Sequence, residues 1–560
     1  MLKLSAVALA VMLLVQVPAI TAHAAPAISA ADQALASRID ASIAPNYPAT
    51  APGATVLVLK DGRTVLRKAY GLADVTANQA MTPNMTLRIG SITKQFTAVS
   101  ILKLAEDGKL NISDDITTYL PDYPTHGKHI TVEHLLTHTS GIVSYTGKPG
   151  FMESAGKDLT LTALIDTFKN DPLEFEPGSK FAYNNSGYIL LGAIIEKVSG
   201  LSYADFVAQR IFIPLGMTQT AYEGHERAAG QRAPGYRKHE GKVLPAVALS
   251  MTLPYAAGAL VSTVDDLARW DSALVAGKVI SAANLSKAQT SYHLLDGTSS
   301  GYGYGWMLSS LQGQPTIGHG GGIHGYLSYE VRLPRDKVYV AILTNTDSPT
   351  VAPEIVATRA AAIAIGKPLP LPMKGKLDAK ALDKLVGIYR IDDKTQHEVR
   401  RLKDTDGLTI QATGRGRAPL VPYSPTGFFI GDSLTMVEFA TGPDGQATTM
   451  HIQDGKANPT HVRTARTVPE MAQVKVPVAT LDSYVGRYPM PPGFTMTIAR
   501  VGESLTVQLT GQPTLTLYAS DAANFYVKEV DAKVRFEKNA DGAQQLVLMQ
   551  GGQTIAGKRE

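Results

Sequence analysis

A direct repeat in the last third of this 560-residue chain limits its fold more than any other sequence feature. Three segments recur at offsets of 99, 97 and 97 residues: 382–389 with 481–488, 408–414 with 505–511, and 437–439 with 534–536. Each copy contains enough short alternating strands for a small antiparallel barrel or sandwich, whereas two copies are too few for a solenoid. The sequence therefore predicts two small, duplicated all-β modules, at residues 377–470 and 476–560.

The region before the repeat is longer and has a different pattern. A proline-rich stretch predicts a linker at residues 367–376. Before it, Asp61-Gly62 joins two β-branched runs as a hairpin turn, and strands return at 325–333 and 338–345. This order predicts an α+β domain at residues 25–366, an antiparallel sheet flanked by helices in which both ends of the domain meet. Apolar spacing predicts its helices at 35–43, 92–106, 186–198, 203–211, 264–275 and 353–365.

The first 24 residues are typical of a cleaved Sec-type signal peptide. Lys3 precedes an apolar run from 4 to 17, and Ala22-His23-Ala24 forms a small-x-small cleavage pattern. An uncleaved anchor is the alternative. Because no later segment approaches 18 apolar residues, we expect no stable membrane insertion after cleavage, and a periplasmic or secreted bacterial protein.

The composition excludes several kinds of site. The chain has no cysteine, which excludes disulfides, thiolate zinc sites and cysteine nucleophiles. Its net charge of +4 is small for this length and no aromatic-plus-basic module appears, so no nucleic-acid partner is expected. Four histidines between 126 and 138 lack the glutamate that a zinc-protease helix carries beside its first histidine. We therefore expect no metal and no other cofactor.

The candidate nucleophile is Ser91, in a Ser-x-x-Lys element with Lys94 at the start of a predicted helix. A spacing of three residues puts both side chains on one helix face, and a helix N-terminus favours a developing alkoxide. The spacing alone is weak evidence, because two other Ser and Lys pairs in the chain share it. The alternative is that Ser91 only caps the helix.

A second polar element lies just before the helix predicted at 186–198. Tyr183 is the only tyrosine followed by an asparagine two residues later. A phenol titrates at about pH 10 in water, but a nearby ammonium such as Lys94 would favour the phenolate and lower its pKa. Asn185 offers a donor and an acceptor, suited to holding a substrate amide or to fixing Lys94. The alternative is an Asn-rich helix cap beside a buried tyrosine.

The glycine-rich stretch at 318–326 is the third candidate element. Glycines this dense at a strand let a substrate lie along the backbone as an added strand. They also leave backbone N–H groups free to bind an oxyanion. His319, near its start, could donate a hydrogen bond to the substrate. The alternative is a plain glycine-rich loop.

Taken in order, these elements resemble the three motifs of the serine β-lactamase and penicillin-binding-protein superfamily: Ser91-x-x-Lys94, Tyr183-x-Asn185 and His319-x-Gly321. The chain is most similar to the branch of class C β-lactamases, D-aminopeptidases and related esterases. The repeated tail more loosely resembles the β-barrel modules of some D-aminopeptidase-like members. The resemblance implies a β-lactamase/transpeptidase-like fold for the first domain.

The resemblance also implies a mechanism. Ser91 would form an acyl-enzyme, with Lys94 and Tyr183 sharing the proton transfers and the identity of the base left open. The oxyanion hole would consist of the N–H groups of Ser91 and Gly322. Further substrate contacts would come from Asn185, His319 and Gly321.

One departure from the family bears on the substrate. β-Lactamases and transpeptidases usually carry lysine at the head of the third motif, where its charge helps to bind a substrate carboxylate, whereas His319 is mostly neutral at about pH 7. We therefore expect an exported serine hydrolase that acts on peptides or amides with D-amino acids, or on small esters. The alternatives are a true β-lactamase or DD-carboxypeptidase, and an inactive peptide- or peptidoglycan-binding sensor. The sequence leaves the oligomeric state open.

Overall fold

The protein is described from a computed structural model. The described residues are 29–148, 150–225, 230–392, 395–401, 407–413, 415–453, 460–468, 473–491, 494–510, 512–530, 532–539, 541–550 and 553–560. The predicted signal peptide, residues 1–24, lies outside them. Within these ranges no helix combines the length and the apolar character that a membrane crossing requires.

The first domain is built around one antiparallel sheet. The strands of this domain are β1 (Ala54–Lys60), β2 (Arg63–Tyr70), β3 (Leu72–Asp74), β4 (Gln79–Ala80), β5 (Leu87–Arg88), β6 (Ala221–Tyr222), β7 (Tyr236–His239), β8 (Lys242–Pro245), β9 (Leu260–Ser262), β10 (Met307–Leu311), β11 (Gln314–Ile323), β12 (Tyr326–Leu333) and β13 (Val338–Thr344). Six of them form the main sheet in the order β10-β11-β12-β13-β1-β2. Because β1 pairs with β13 along its whole length, the two ends of the domain meet in this sheet, as predicted.

Helices cover both faces of the sheet. They are α1 (Ala30–Ile43), α2 (Thr93–Glu106), α3 (Val132–Leu136), α4 (Phe151–Ser154), α5 (Leu161–Asp166), α6 (Asn185–Ser199), α7 (Tyr203–Val207), α8 (Tyr255–Gly258), α9 (Val264–Val275), α10 (Ala282–Ala288) and α11 (Pro353–Ala364). Strand side chains alternate between the faces, so Val56 and Val58 of β1 share a core with α1 and α11. Leu57 and Leu59 point to the other core, with α2, α6 and α9. The predicted α+β domain is confirmed.

A capping side chain accounts for the start of α1, and a change of helix type accounts for the end of α7. The helix predicted at 35–43 begins earlier, at Ala30, because Ser29 Oγ accepts a hydrogen bond from the Asp32 N–H. The helix predicted at 203–211 is interrupted: α7 ends at Val207 and a π-helical turn follows over Ala208–Phe212. Apolar spacing could not reveal that change, since both kinds of turn bury the same face.

The two modules repeat one architecture. The first contains α12 (Ala379–Asp383) and eight strands, β14 (Gly387–Arg390), β15 (Gln396–Arg401), β16 (Leu408–Ala412), β17 (Arg417–Pro422), β18 (Gly427–Ile430), β19 (Met436–Thr441), β20 (Ala447–Gln453) and β21 (Thr460–Arg463). The second contains α13 (Val478–Tyr484), β22 (Gly486–Met490), β23 (Phe494–Val501), β24 (Ser504–Leu509), β25 (Leu515–Ala519), β26 (Asn524–Tyr526), β27 (Ala532–Lys538), β28 (Gln544–Gln550) and β29 (Gln553–Lys558). The equivalent Tyr389 and Tyr488 each donate a hydroxyl hydrogen bond to the carbonyl four residues earlier, at 2.6 and 2.8 Å. The predicted pair of similar all-β modules is confirmed.

Each module closes on itself. Strands β14 to β21 form a closed barrel. Strands β22 to β29 form an eight-stranded sheet whose ends meet, since the Glu560 N–H donates to the Arg487 carbonyl at 2.9 Å. Closure removes the exposed strand edges that an open sheet would present.

The first module packs against the first domain. Leu434 and Met436 join the core that α1 and α11 share with the sheet. The Arg359 guanidinium of α11 lies 5.3 Å from the centre of the Phe429 ring and donates to the Pro370 carbonyl at 2.8 Å. A groove of about 870 Å³ runs between the two bodies, and Phe181 and Tyr302 of the first domain contribute to its lining.

Candidate active site

Ser91 lies at the start of the α2 segment, within a 3₁₀ turn over Gly90–Ile92. Its side chain caps neither the turn nor α2, so the capping alternative does not describe this serine. Gly90 has φ +51°, and a Cβ there would lie 3.0 Å from the nitrogen of Gly322. Glycine at position 90 therefore lets the Ser91 backbone approach the glycine-rich strand closely.

Lys94 is the most enclosed charged side chain of the site, with no exposed surface. Its Nζ lies 3.0 Å from Ser91 Oγ, 2.9 Å from Asn185 Oδ1 and 2.9 Å from the Ala257 carbonyl oxygen. Burial holds the pKa of this amine well below its ordinary value. A neutral amine has two hydrogens and one lone pair. Two of its partners here are pure acceptors and the third is a hydroxyl, so the lone pair can face Ser91 O–H.

Tyr183 lies on the loop that leads into α6, near both Ser91 and Lys94. Lys94 Nζ is 4.9 Å from the centre of its ring. Although 37% of the residue is exposed, its hydroxyl end is enclosed, and burial raises the pKa of the phenol, only partly offset by hydrogen bonding to Ser91. The expected fall in the pKa of Tyr183 is therefore wrong. Burial of the phenol raises its pKa, and the nearby amine of Lys94 does not offset this rise, because burial also disfavours the charged form of that amine.

Asn185 is the first residue of α6, placed there by its neighbour. Asn184 Oδ1 accepts a hydrogen bond from the Gly187 N–H at 2.8 Å and so starts the helix. The Asn185 side chain accepts from Lys94 and donates to Thr146 Oγ1 at 3.1 Å. Both ends of the amide are used within the protein, so Asn185 fixes Lys94, which is one of the two roles predicted for it.

The glycine-rich stretch forms the second half of β11, and its outer edge is open on the side of Ser91. Strand β10 pairs with β11 only as far as Gly318. Leu327, opposite Gly322, directs its backbone to its other side: its N–H donates to Thr344 Oγ1 at 3.4 Å, and its carbonyl oxygen accepts from that hydroxyl at 2.9 Å. Gly322 therefore directs its N–H away from β12, because facing residues of an antiparallel pair share one bonding direction. A Cβ at Gly321 would lie 2.0 Å from the Ile89 carbonyl oxygen, which explains the glycine at that position.

His319 is enclosed by protein, with 1% of its surface exposed. One ring nitrogen, Nε2, lies 2.9 Å from the Tyr302 hydroxyl, and the other, Nδ1, lies 2.5 Å from the Gly320 carbonyl oxygen. The carbonyl must accept, so Nδ1 carries the hydrogen and Tyr302 donates to Nε2. Burial, with a smaller contribution from Lys94, lowers the pKa of His319 to about 3. The imidazole is thus neutral and, in this arrangement, has no hydrogen left to donate to a substrate.

These residues share one site, in the part of the chain that a known family matches. The family model described as "Beta-lactamase" matches residues 41–365. The chain belongs to the β-lactamase family. A second model, described as "Domain of unknown function (DUF3471)", matches residues 470–559 of this β-lactamase-family protein, which contain its second module.

Relatives and solved structures match more than half of this chain. Penicillin-binding protein 4* of Bacillus subtilis (strain 168) is 30% identical over 425 residues, which are 72% of this chain and 93% of the relative. The structure of the octameric penicillin-binding protein homologue from Pyrococcus abyssi is 29% identical with a TM-score of 0.54, covering 76% of this chain and 99% of that one. The D-amino acid amidase from Ochrobactrum anthropi SV3, complexed with L-phenylalanine, is 25% identical with a TM-score of 0.51, covering 60% and 98%.

Several contacts of this β-lactamase-family site were not predicted. The Ala257 carbonyl that holds Lys94 has no side-chain signature, so the sequence carries no signal for it. Tyr302, which binds His319, stands in the aromatic and glycine pattern at 302–306, which marks it as unusual without giving it a role. His138, whose ring centre is 4.3 Å from that of Tyr183, belongs in the sequence to a histidine cluster and to a segment similar to the family, neither of which gives it a role at the site. Among the described residues no group of three or more His, Asp or Glu could hold a metal ion.

Proposed function

We propose that this β-lactamase-family protein is a serine hydrolase that forms an acyl-enzyme on Ser91. The observation that carries the proposal is the set of partners of Lys94 Nζ, two pure acceptors and the Ser91 hydroxyl. That set suits a neutral amine acting as general base, and burial favours the neutral form. Tyr183 is the poorer candidate for the base, because burial keeps its phenol protonated.

The steps follow from this assignment. Lys94 takes the proton of Ser91 O–H while Oγ attacks the substrate carbonyl carbon. The N–H groups of Ser91 and Gly322 stabilise the oxyanion; the first has no intrahelical partner because it lies in the first turn. Tyr183, protonated and close to Ser91, passes a proton to the leaving nitrogen or oxygen. Lys94 then gives Tyr183 the proton that it took from Ser91. The amine or alcohol then leaves. Water attacks the ester carbonyl on Ser91 and gives a proton to Lys94, which passes it to Ser91 Oγ as the carboxylic acid is released.

The substrates we propose are amides and short peptides of D-amino acids, and small esters. His319 supports this class, because a neutral, fully bonded imidazole at the head of the third motif provides no fixed positive charge for a substrate carboxylate. Similarity to the D-amino acid amidase of Ochrobactrum anthropi SV3 supports the same class. We also propose that the protein is exported, on the strength of the signal-peptide pattern in residues 1–24.

A substrate panel tests the proposal: D-alanine p-nitroanilide, a p-nitrophenyl ester and a chromogenic cephalosporin. We expect hydrolysis of the first two and little of the third. Ser91→Ala should lower every activity by about 10⁴-fold or more, the scale of nucleophile deletions in serine hydrolases. Hydrolysis that survives this change would refute the assignment of Ser91.

The penicillin-binding relatives favour a second candidate, a DD-carboxypeptidase or β-lactamase. Hydrolysis of the cephalosporin with an efficiency above that of the D-amino acid amide would support it and would contradict the role given to His319. Labelling of Ser91 by a fluorophosphonate without turnover of any substrate would instead support a binding protein.

A further inference from the structure

We propose that His138 is a positioning residue that holds Tyr183 in its catalytic orientation through its Nδ1 atom and its ring. The inference rests on the proposed role of Tyr183 in proton transfer. His138 belongs to the segment after α3, 45 residues before Tyr183 in sequence, and nothing in the family comparison gives it a role.

His138 binds the backbone on both sides of Tyr183. The Ala182 N–H donates to the His138 carbonyl oxygen at 3.0 Å. The Asn184 N–H donates to His138 Nδ1 at 3.1 Å. One residue thus fixes the peptide group that follows Tyr183 and the one that precedes Ala182, which limits how far the backbone at Tyr183 can rotate.

The ring of His138 also orients the ring of Tyr183. Their centres are 4.3 Å apart, and the imidazole is enclosed further by Tyr302 at 4.7 Å and Tyr188 at 5.1 Å. The imidazole therefore forms one wall of the slot that Tyr183 occupies. This contact directs the tyrosine toward Ser91, whose hydrogen bonding to the phenol partly offsets the effect of burial on its pKa.

The protonation state of His138 suits a site with a neutral lysine. Because Nδ1 accepts the Asn184 N–H, the hydrogen of the neutral ring is on Nε2. Burial first, then Lys94 and His319, hold the pKa of His138 well below its ordinary value. The ring therefore adds no positive charge next to Lys94, which must be neutral to act as a base.

Two unfavourable features of His138 argue that stability is not the reason for its presence. Its Nε2 is buried with no hydrogen-bond partner among the described residues, and a buried donor without a partner is rare. Its backbone has φ +58°, a region that residues other than glycine seldom adopt. Unfavourable geometry of this kind is concentrated at functional sites.

The test compares His138→Asn with His138→Gln. The Asn Oδ1 can take the place of Nδ1 and accept the Asn184 N–H, whereas the longer Gln side chain carries its amide near the position of Nε2. We expect kcat on the best panel substrate to fall about 10- to 100-fold in the Gln variant, with KM within threefold of the parent. The kcat of the Asn variant should be at least tenfold higher than that of the Gln variant. Activity is expressed per Ser91 labelled to completion by a fluorophosphonate, which corrects for unfolded protein.

His134→Asn is the matched control. His134 lies four residues earlier, within α3, and its Nδ1 also accepts a backbone N–H, that of Thr131 at 3.2 Å; its ring packs against Tyr292 instead of Tyr183. We expect this change to lower the melting temperature and leave kcat per labelled site within twofold of the parent.

The outcomes separate this inference from the proposed function. Equal kcat values for the Asn and Gln variants per labelled site, or losses only in KM, would overturn the positioning role while leaving Ser91 as the nucleophile. Full activity of Ser91→Ala would overturn the proposed function itself. If the Gln variant does not fold, the Asn variant still decides: a kcat within tenfold of the parent would support the role of Nδ1 as the acceptor that positions Tyr183, and a kcat below one tenth of the parent would overturn it.

Discussion

Glu330 offers a stability test whose size follows from the structure. It lies on β12 behind the helix that carries Ser91, and 4% of its surface is exposed. Gln95, the residue after Lys94, donates its amide hydrogen to Glu330 Oε1, and Tyr339 O–H donates to Oε2 at 2.5 Å. Trp270 fixes the orientation of the Gln95 amide by donating to its oxygen at 3.0 Å. Burial, which these two hydrogen bonds oppose, raises the pKa of Glu330 from 4.5 to about 7.

That rise sets both the sign and the magnitude of the effect. The unfolded chain releases the Glu330 proton near pH 4.5, whereas the folded protein keeps it until about pH 7. Stability from this group is therefore complete below pH 4.5 and is lost as the pH rises through 7. A difference of this size corresponds to about 3 kcal/mol in the free energy of unfolding. Glu330→Gln keeps an acceptor for Gln95 and gains a donor for Tyr339, so it should remove the pH dependence.

Urea unfolding at pH 4.5, 6, 7 and 8, followed by tryptophan fluorescence, measures this. Both tryptophans of the chain, Trp270 and Trp306, belong to the first domain, so the signal reports that domain and not the modules. The free energy of unfolding of Glu330→Gln, measured relative to that of the parent, should rise by about 3 kcal/mol from pH 4.5 to pH 8. Glu176→Gln, in the same domain and with a side chain that is 55% exposed, is the control and should follow the parent. A difference between Glu330→Gln and the parent that does not change with pH would refute the reasoning.

Four further predictions concern the site. Asn185→Ala removes one acceptor of Lys94 Nζ and should lower kcat by about 10²-fold with little change in KM, measured by steady-state kinetics. Gly321→Ala places a Cβ 2.0 Å from a backbone oxygen and should lower both the melting temperature and the activity; Gly147→Ala, with open space around its Cβ, should change neither. Because Lys94 must be neutral to act as a base and burial lowers its pKa, activity should persist well below the ordinary titration range of lysine, and fall as the pH drops far enough to protonate the amine. His319→Lys should increase the rate at which a penicillin acylates Ser91, if the neutral imidazole is what limits recognition of a carboxylate; no increase would contradict that role.

Local patterns were sufficient for the longer helices and main strands of the first domain and for their order. The helix predicted at 264–275 matches α9, because Thr263 Oγ1 accepts the Asp266 N–H and acidic residues occupy the first turn, signals that neighbours in sequence provide. The duplicated modules were also predictable, because a repeat in sequence repeats the same strands and cores, as the paired hydroxyl contacts of Tyr389 and Tyr488 illustrate. The sequence did not mark the π-helical turn after α7, whose buried face has the same spacing as an α-helix.

By itself, then, the sequence determined which residues could carry chemistry and in which order along the chain they occur. The tertiary structure decided what each of them can do. Lys94 meets Asn185 across 91 residues and the Ala257 carbonyl across 163. The complete burial of Lys94 among such distant residues is what favours a neutral amine. The pKa of Tyr183 moves in the direction opposite to the sequence-based expectation for the same reason: a side chain's charge state depends on how much water the fold removes from it, and that quantity is a sum over distant residues which no local pattern contains.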